Sequence, residues 1–266
     1  MRKSSKSSSP GDKRLPSTAA VELLPVPGLP EIRKGDDLAR LIVESSRHAQ
    51  LAFQNGDILV IAQKIVSKAE GCLIHLSTVK PSSEALPLAC KLKKDPRIVE
   101  VILRESQRIV RSDPVLIVET RHGFVCANAG VDHSNIPGHD VVSLLPRHPD
   151  RSARRLAAAL RKRTRKRLAV IISDTFGRPW RLGLTNVAIG AAGVPALLDL
   201  RGTTDLHGKP LTATILAVAD ELAGAAGLLM SKSAGIPAVV IRGYRYRPVL
   251  DPAARIIRPA NEDLFR

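Results

Sequence analysis

The stretch Leu168-Ala-Val-Ile-Ile-Ser-Asp-Thr-Phe-Gly-Arg-Pro-Trp180 constrains this chain most, because an unbroken apolar run stops there at a carboxylate, a hydroxyl, a glycine and an arginine. Consecutive Leu, Ala, Val and Ile side chains bounded by polar residues read as a strand buried on both faces. At the carboxyl end of such a strand the side chains emerge into a crevice. Asp174 and Thr175 are offered there as hard oxygen ligands and Arg178 as a fixed cation, a set suited to a metal-bound phosphate. A plainer reading is equally open: Asp174 caps a turn, Gly177-Arg178-Pro179 reverses the chain and Trp180 fills core.

Similar transitions from apolar run to polar residues recur along the chain. Val21 to Val26 reads as an edge strand, and Pro27 to Ile32 as a loop whose prolines bracket a glycine. Asp36 or Asp37 can cap a helix carrying Leu38, Leu41 and Ile42. Ile58 to Ala62 is the next buried strand, and Gln63 to Gly71 places Lys64 and Lys68 just past its end. Those two ammonium groups either reach phosphate oxygens or lie on an exposed cationic helix face. Helices are expected from Pro81 and from Asp95-Pro96 through Ile109. Leu116 to Thr120 and Phe124 to Asn128 form a hairpin that delivers Asp132, a second carboxylate after a buried strand, and Asn135. His133 beside them reads as a surface hydrogen-bonding residue. Asp150 or Ser152 caps a strongly basic helix. A long Ala-rich helix from about Thr212 to Ser231 carries Asp220-Glu221, followed by the small-residue segment to Gly235 and a last buried strand, Ile236 to Arg242.

The bulk composition narrows the function classes. With 266 residues and 44% hydrophobic content the chain can bury a sizeable core. Residues 1–20 are Ser- and Lys-rich and read as a disordered basic tail, 21–243 as one domain or two intertwined subdomains, and 244–266 as a basic C-terminal tail. No apolar stretch has the length of a membrane span or the character of a signal peptide, so a cytoplasmic protein is expected. The scattered Cys72, Cys90 and Cys126 show no metal-ligand spacing and read as reduced thiols. A net charge of +16 raises nucleic acid as a partner, but aromatics make up only 3% of the chain, too few for a base-stacking platform. A cleft for small polyanions uses the same charge. No Gly-x-x-x-x-Gly-Lys-Ser/Thr loop is present, which excludes an ordinary P-loop.

Val26-Pro-Gly-Leu-Pro-Glu-Ile32, Lys64, Val66-Ser-Lys-Ala-Glu-Gly71, Asn128-Ala-Gly-Val-Asp132, Ser173-Asp-Thr-Phe-Gly-Arg-Pro179 and Ala219-Asp-Glu-Leu222 follow one another along the chain. Together they resemble the coenzyme F-420-0:L-glutamate ligase family, in the family's motif order, from about Val21 to Arg242. The resemblance implies an α+β fold, a mixed α/β ligase domain with buried sheet strands and flanking helices, and a homodimer of the stand-alone form, without an appended flavin-reductase-like domain. It implies a GTP-dependent gamma-glutamyl ligase that adds L-glutamate to the lactyl carboxylate of the deazaflavin coenzyme precursor. Mg or Mn is required, and a monovalent cation such as potassium is left open. Carried onto this sequence, GTP contacts fall on Leu29, Pro30, Glu31 and Ile32, on Gln63, Lys64 and Lys68, on Asn135, and on Met230, Ser231, Lys232, Ser233, Ala234, Gly235 and Ile236. Metal ligands fall on Asp132, Asp174 and Thr175, and Asp174, Arg178 and Lys68 are the candidates for catalysis. Some relatives carry an acid where Lys232 stands, and a lysine meets phosphate sooner than metal. Rival readings are a homologous ligase for another carboxylate acceptor and a basic nucleic-acid-binding protein.

Overall fold

The computed structural model describes residues 20–136, 138–231 and 233–263. The expected N-terminal tail therefore lies outside the described residues, Ala20 excepted, as does Lys232. The chain opens with β1 (Glu22–Pro25) and α1 (Leu38–His48), whose first turn is capped by Asp37 accepting from the Arg40 N–H. Next come β2 (Ile58–Ala62) and α2 (Gln63–Glu70), which ends at Gly71 in a left-handed cap, φ 72°. A smaller lobe follows: β3 (Leu73–His75), α3 (Ala85–Leu92), α4 (Pro96–Arg104), β4 (Ser106–Ser112), β5 (Leu116–Thr120), β6 (Val125–Ala127) and β7 (Val141–Ser143). The chain then returns through α5 (Pro149–Thr164), β8 (Ala169–Arg178), β9 (Arg181–Ala192), β10 (Leu198–Asp199), β11 (Ile215–Leu216), α6 (Val218–Gly227) and β12 (Ala238–Arg242).

The central sheet runs β1-β12-β2-β8-β9, with β2 and β8 parallel and the other pairs antiparallel. The apolar runs are continuous because both faces are covered. Leu59, Ile61, Val170, Ile172 and Val240 pack against α1 and α5, while Ile58, Val60, Ile171, Val239 and Ile241 pack against α6. The smaller lobe has its own core around Ile102, Leu116 and Val118. The result is the mixed α+β architecture expected. Among the described residues no helix is long and apolar enough to cross a membrane.

Several expectations are corrected. The helix from Asp95 stops at Arg104, because Ser106–Ser112 is taken by strand pairing, Ile109 lying opposite Val118 of β5. The helix expected from Thr212 starts at Val218: Ile215–Leu216 is taken by pairing with β10, and the chain leaves the helix at Leu228. Asp150 does not cap α5. It lies in the first turn, where its carboxylate accepts from the N–H groups of Ala191 (2.8 Å) and Ala253 (2.7 Å). The segment after Tyr244 packs on the domain, with Ala253 fully buried and Asp251 accepting from the Ala196 N–H at 2.9 Å and pairing with Arg255. Cys72 and Cys126 are buried free thiols, and Cys90 is exposed. The Arg and Lys side chains of α5 are mostly exposed.

Candidate active site

Where β2 ends beside Ser173 of β8, the sheet opens into a cavity of about 790 Å³. The main-sheet wall consists of Asp174 and Thr175 from β8 and of Gln63, Lys64 and Lys68 from α2, which starts directly at the end of β2. Facing it, the lobe brings Asn128, Asp132 and Asn135, which follow β6. Leu29, Pro30, Glu31 and Ile32 form a third side, and Met230, Ser231, Ser233, Gly235 and Ile236 a fourth. A bulge helps to aim Asp174. The register steps from Ile172↔Gly190 to Ser173↔Ala188, leaving Ile189 unmatched, and the Asp220 carboxylate accepts the Ala188 N–H at 2.8 Å. Asp220 is thus a structural acid, its pKa raised by burial.

The charges are tightly arranged. Lys64 donates through Nζ to Asp132 Oδ2 at 2.8 Å and to the Ser134 carbonyl at 2.6 Å, and the Ser134 N–H and hydroxyl both donate to Asp132. Burial by itself would push Asp132 up, but these donors outweigh it and hold the carboxyl at about 2. Asp174 goes the other way. Its recessed position pushes it up to about 6, against donation from the Thr175 N–H and the pull of Lys64, with the charge of Asp132 adding to the rise. Asp174 thus feels the charge of Asp132 across the cavity. Lys68 pairs with Glu31 at 2.6 Å and is only 5% exposed, so the solvated helix face is excluded for it. Cys126, buried beside Asp174, is pushed up to about 12 by desolvation, the Asp174 charge adding to it.

A model of the family described as "F420-0:Gamma-glutamyl ligase" matches residues 28–243. The coenzyme F420:L-glutamate ligase of Methanothermobacter thermautotrophicus is 47% identical over 92% of this chain and 99% of that protein. Its namesake from Methanopyrus kandleri is 50% identical over 91% of this chain and 96% of that protein, and that from Archaeoglobus fulgidus 44% over 92% and 96%. The chain belongs to the F420-0:gamma-glutamyl ligase family.

In this ligase the residues expected at the site are gathered with three exceptions. Arg178 stands at the exposed end of β8, its guanidinium donating to the Leu182 carbonyl at 3.2 Å, and does not line the cavity. The physical reason is that β8 does not end at Asp174 but continues into a hairpin with β9 that carries Arg178 away. Ala234 is exposed in a turn closed by its N–H to the Ser231 carbonyl and is not among the lining residues. Lys232 lies outside the described residues. Trp180, offered to the core by the plainer reading, is 77% exposed on the hairpin tip. That reading's chain reversal is nevertheless real, and Asp174 and the turn belong to one strand pair. Reading residues singly missed Asn186, Asn128 and Phe176, all on the cavity wall. Once the reversal near Pro179 is accepted, hairpin register puts Asn186 opposite Thr175, where it donates to the Ser173 hydroxyl at 3.3 Å.

Divalent metal fits this donor set. Among the described residues no three His, Cys, Asp or Glu side chains gather as a cage. Two carboxylates and a hydroxyl on one cavity are instead what suits Mg or Mn, ions that keep water and share phosphate oxygens rather than taking every ligand from protein.

Proposed function

We propose that this ligase uses GTP to add L-glutamate to the lactyl carboxylate of coenzyme F-420-0, by way of an acyl phosphate and with release of GDP and phosphate. The observation that carries this reading is one cavity in which Asp132, Asp174 and Thr175 meet Lys64 and Lys68 from separate segments. A carboxylate is a poor acylating agent until an oxygen becomes a good leaving group. Attack of the acceptor carboxylate on the terminal phosphorus of GTP expels GDP and supplies that group; attack of the glutamate amine on the acyl carbon then expels phosphate and leaves an amide. Such phosphoryl transfer asks the protein for positioning and charge neutralisation rather than covalent help. Asp132, Asp174 and Thr175 would hold Mg or Mn, which neutralises phosphate charge when bound. Lys64 and Lys68 neutralise further phosphate oxygens as point charges, and Leu29 to Ile32 with Met230 to Ile236 enclose the nucleotide. The buried Ile65 and the half-buried Phe176 and Ile236 keep water from the acyl phosphate. The basic surface steers three anionic substrates toward the cleft.

The working unit is a homodimer in this proposal. Trp180, Leu182 and Leu184 on the β8–β9 hairpin are 77%, 99% and 63% exposed, an apolar arm that a second copy of the chain would cover. Light scattering of the purified protein is expected to give twice the chain mass, and Leu182→Glu a shift toward the single chain.

Mass spectrometry of the protein incubated with GTP, Mn, glutamate and the coenzyme precursor tests the reaction. Glutamyl addition to the precursor with matching phosphate release is expected. Phosphate release with a different carboxylic acid, and none with the deazaflavin, would transfer the reading to another acceptor.

A further inference from the structure

Behind the lobe wall of the cavity stands an ammonium group that no acid among the described residues answers. Lys94 follows α3, whose C-cap residue Lys93 adopts the left-handed conformation, φ 52°, and so turns the chain back. The Lys94 Nζ donates to Oδ1 of Asn128 at 2.9 Å, and no described carboxylate forms an ion pair with it. Burial lowers its pKa, with no charged partner acting against the shift. Asn128 itself begins a turn in which it, Ala129 and Gly130 are all left-handed, at φ 54°, 54° and 69°. Asn and Gly tolerate that region, and Ala is strained in it. The turn is tightly seated as well, because a Cβ on Gly130 would meet Leu145 at 2.7 Å.

Hydrogen-bond chemistry fixes how the amide faces. An ammonium has donors only, so it can meet only the oxygen of the Asn128 amide. Nδ2 with its two N–H donors is therefore turned away from Lys94. Among the described residues it donates to none, while Asn128 lines the cavity. A donor pair backed by a half-buried positive charge that no described carboxylate pairs with is complementary to a small anion entering the cavity. Lys64 and Lys68 supply cations on the opposite, α2 wall, where phosphate has its partners. With phosphate matched by Lys64, Lys68 and the proposed metal, the anion left for the Asn128 amide itself is a substrate carboxylate.

We propose that Asn128, with its amide locked by Lys94, binds a substrate carboxylate in the ligase reaction, and that Lys94 is its positioning residue. This rests on the ligase reading above. Two carboxylates share the chemistry: that of the acceptor, and the α-carboxylate of the incoming glutamate.

Steady-state kinetics of Asn128→Asp separates them. Aspartate tolerates the left-handed backbone and keeps the Lys94 contact, but replaces donors by an anion facing an anion. The KM for one of the two carboxylate substrates is expected to rise about ten-fold or more, with the KM for GTP unchanged. A rise confined to glutamate assigns its carboxylate; a rise confined to the precursor assigns the acceptor. Lys94→Met, which frees the amide to flip, is expected to raise the same KM by a smaller factor, and Lys94→Arg to restore it. A merely structural role would lower turnover with every substrate and leave these constants alone. Should Asn128→Asp not fold, Asn128→Gly suits the same backbone and loses the same donors. Unchanged KM for both carboxylates, or a rise for GTP alone, overturns the assignment. Wild-type protein without GTP-driven glutamyl transfer overturns the ligase reading instead, and calorimetry of glutamate and precursor binding to nucleotide-free wild type and Asn128→Gly still decides the role of Asn128.

Discussion

The two acids of the cavity stand on walls of different construction. Asp174 belongs to β8, inside a five-stranded sheet packed on both faces and aimed by a bulge that Asp220 satisfies. Asp132 follows a left-handed turn in the smaller lobe, held by a bridge to Ser143 and by Lys64 reaching across from the other wall. Identical side chains therefore meet opposite fates: burial wins at Asp174, up to about 6, and direct pairing wins at Asp132, down to about 2. One carboxylate is charged at every physiological pH, and the other keeps its proton up to about 6.

The sharpest way to break this contrast is to neutralise each acid. Asp132→Asn and Asp174→Asn are each expected to cut glutamyl transfer by about a hundred-fold or more, as loss of a metal ligand does. If only one does so in assays of phosphate release, the other wall is not a metal wall. The next effect is on pH. Since Asp174 holds its proton up to about 6, far above the ordinary 3.8, a metal bound as proposed would displace that proton below this pH, whereas Asp132 has already lost its own. Mn affinity is thus expected to fall about ten-fold per pH unit below that point, a slope of one proton. Two protons would make the walls alike. Without metal, the folded state binds the proton more tightly than the unfolded chain, so this group's contribution makes melting temperature decline as pH rises from about 4 to about 6. Asp174→Asn flattens that decline.

Backbone substitutions give the smallest effects and distinguish the scaffolds behind the walls. A Cβ on Gly190 would lie 2.5 Å from the Pro149 backbone, where α5 sits on β9. Gly190→Ala is expected to cost about 1–3 kcal/mol in denaturant unfolding, because neither backbone can yield. On the lobe side, Ala129→Gly relieves a left-handed alanine and is expected to gain up to about 1 kcal/mol. A loss there would mean that the turn is not strained.

The sheet wall was legible in the sequence and the lobe wall was less so, for a physical reason. Strands covered on both faces leave continuous apolar runs, so β2, β8 and β12 announced themselves and their polar ends pointed to Lys64 and Asp174. Asp132 emerged from the hairpin before it, but nothing local told that Lys64 would grip it across 68 residues, or that Lys68 would be buried against Glu31. Arg178 was misplaced because a strand end was inferred where the apolar run stopped, whereas hydrogen bonding to β9 carries β8 onward regardless of side-chain polarity. Asn128 stood at the head of a family motif but carried no physical signal of its own, since the facing of its amide depends on a left-handed backbone and on Lys94, both settled by tertiary structure. The family motifs supplied what periodicity lacked, by spanning both walls in one order.

The carboxylates of Asp150 and Asp251 fasten the segment around Ala253 to the C-terminal end of β9 and to Ala196, so that stretch works as a buckle closing over the sheet face that bears α6. Anyone trimming the chain ahead of Asp251 would unfasten backbone amides far from the cut.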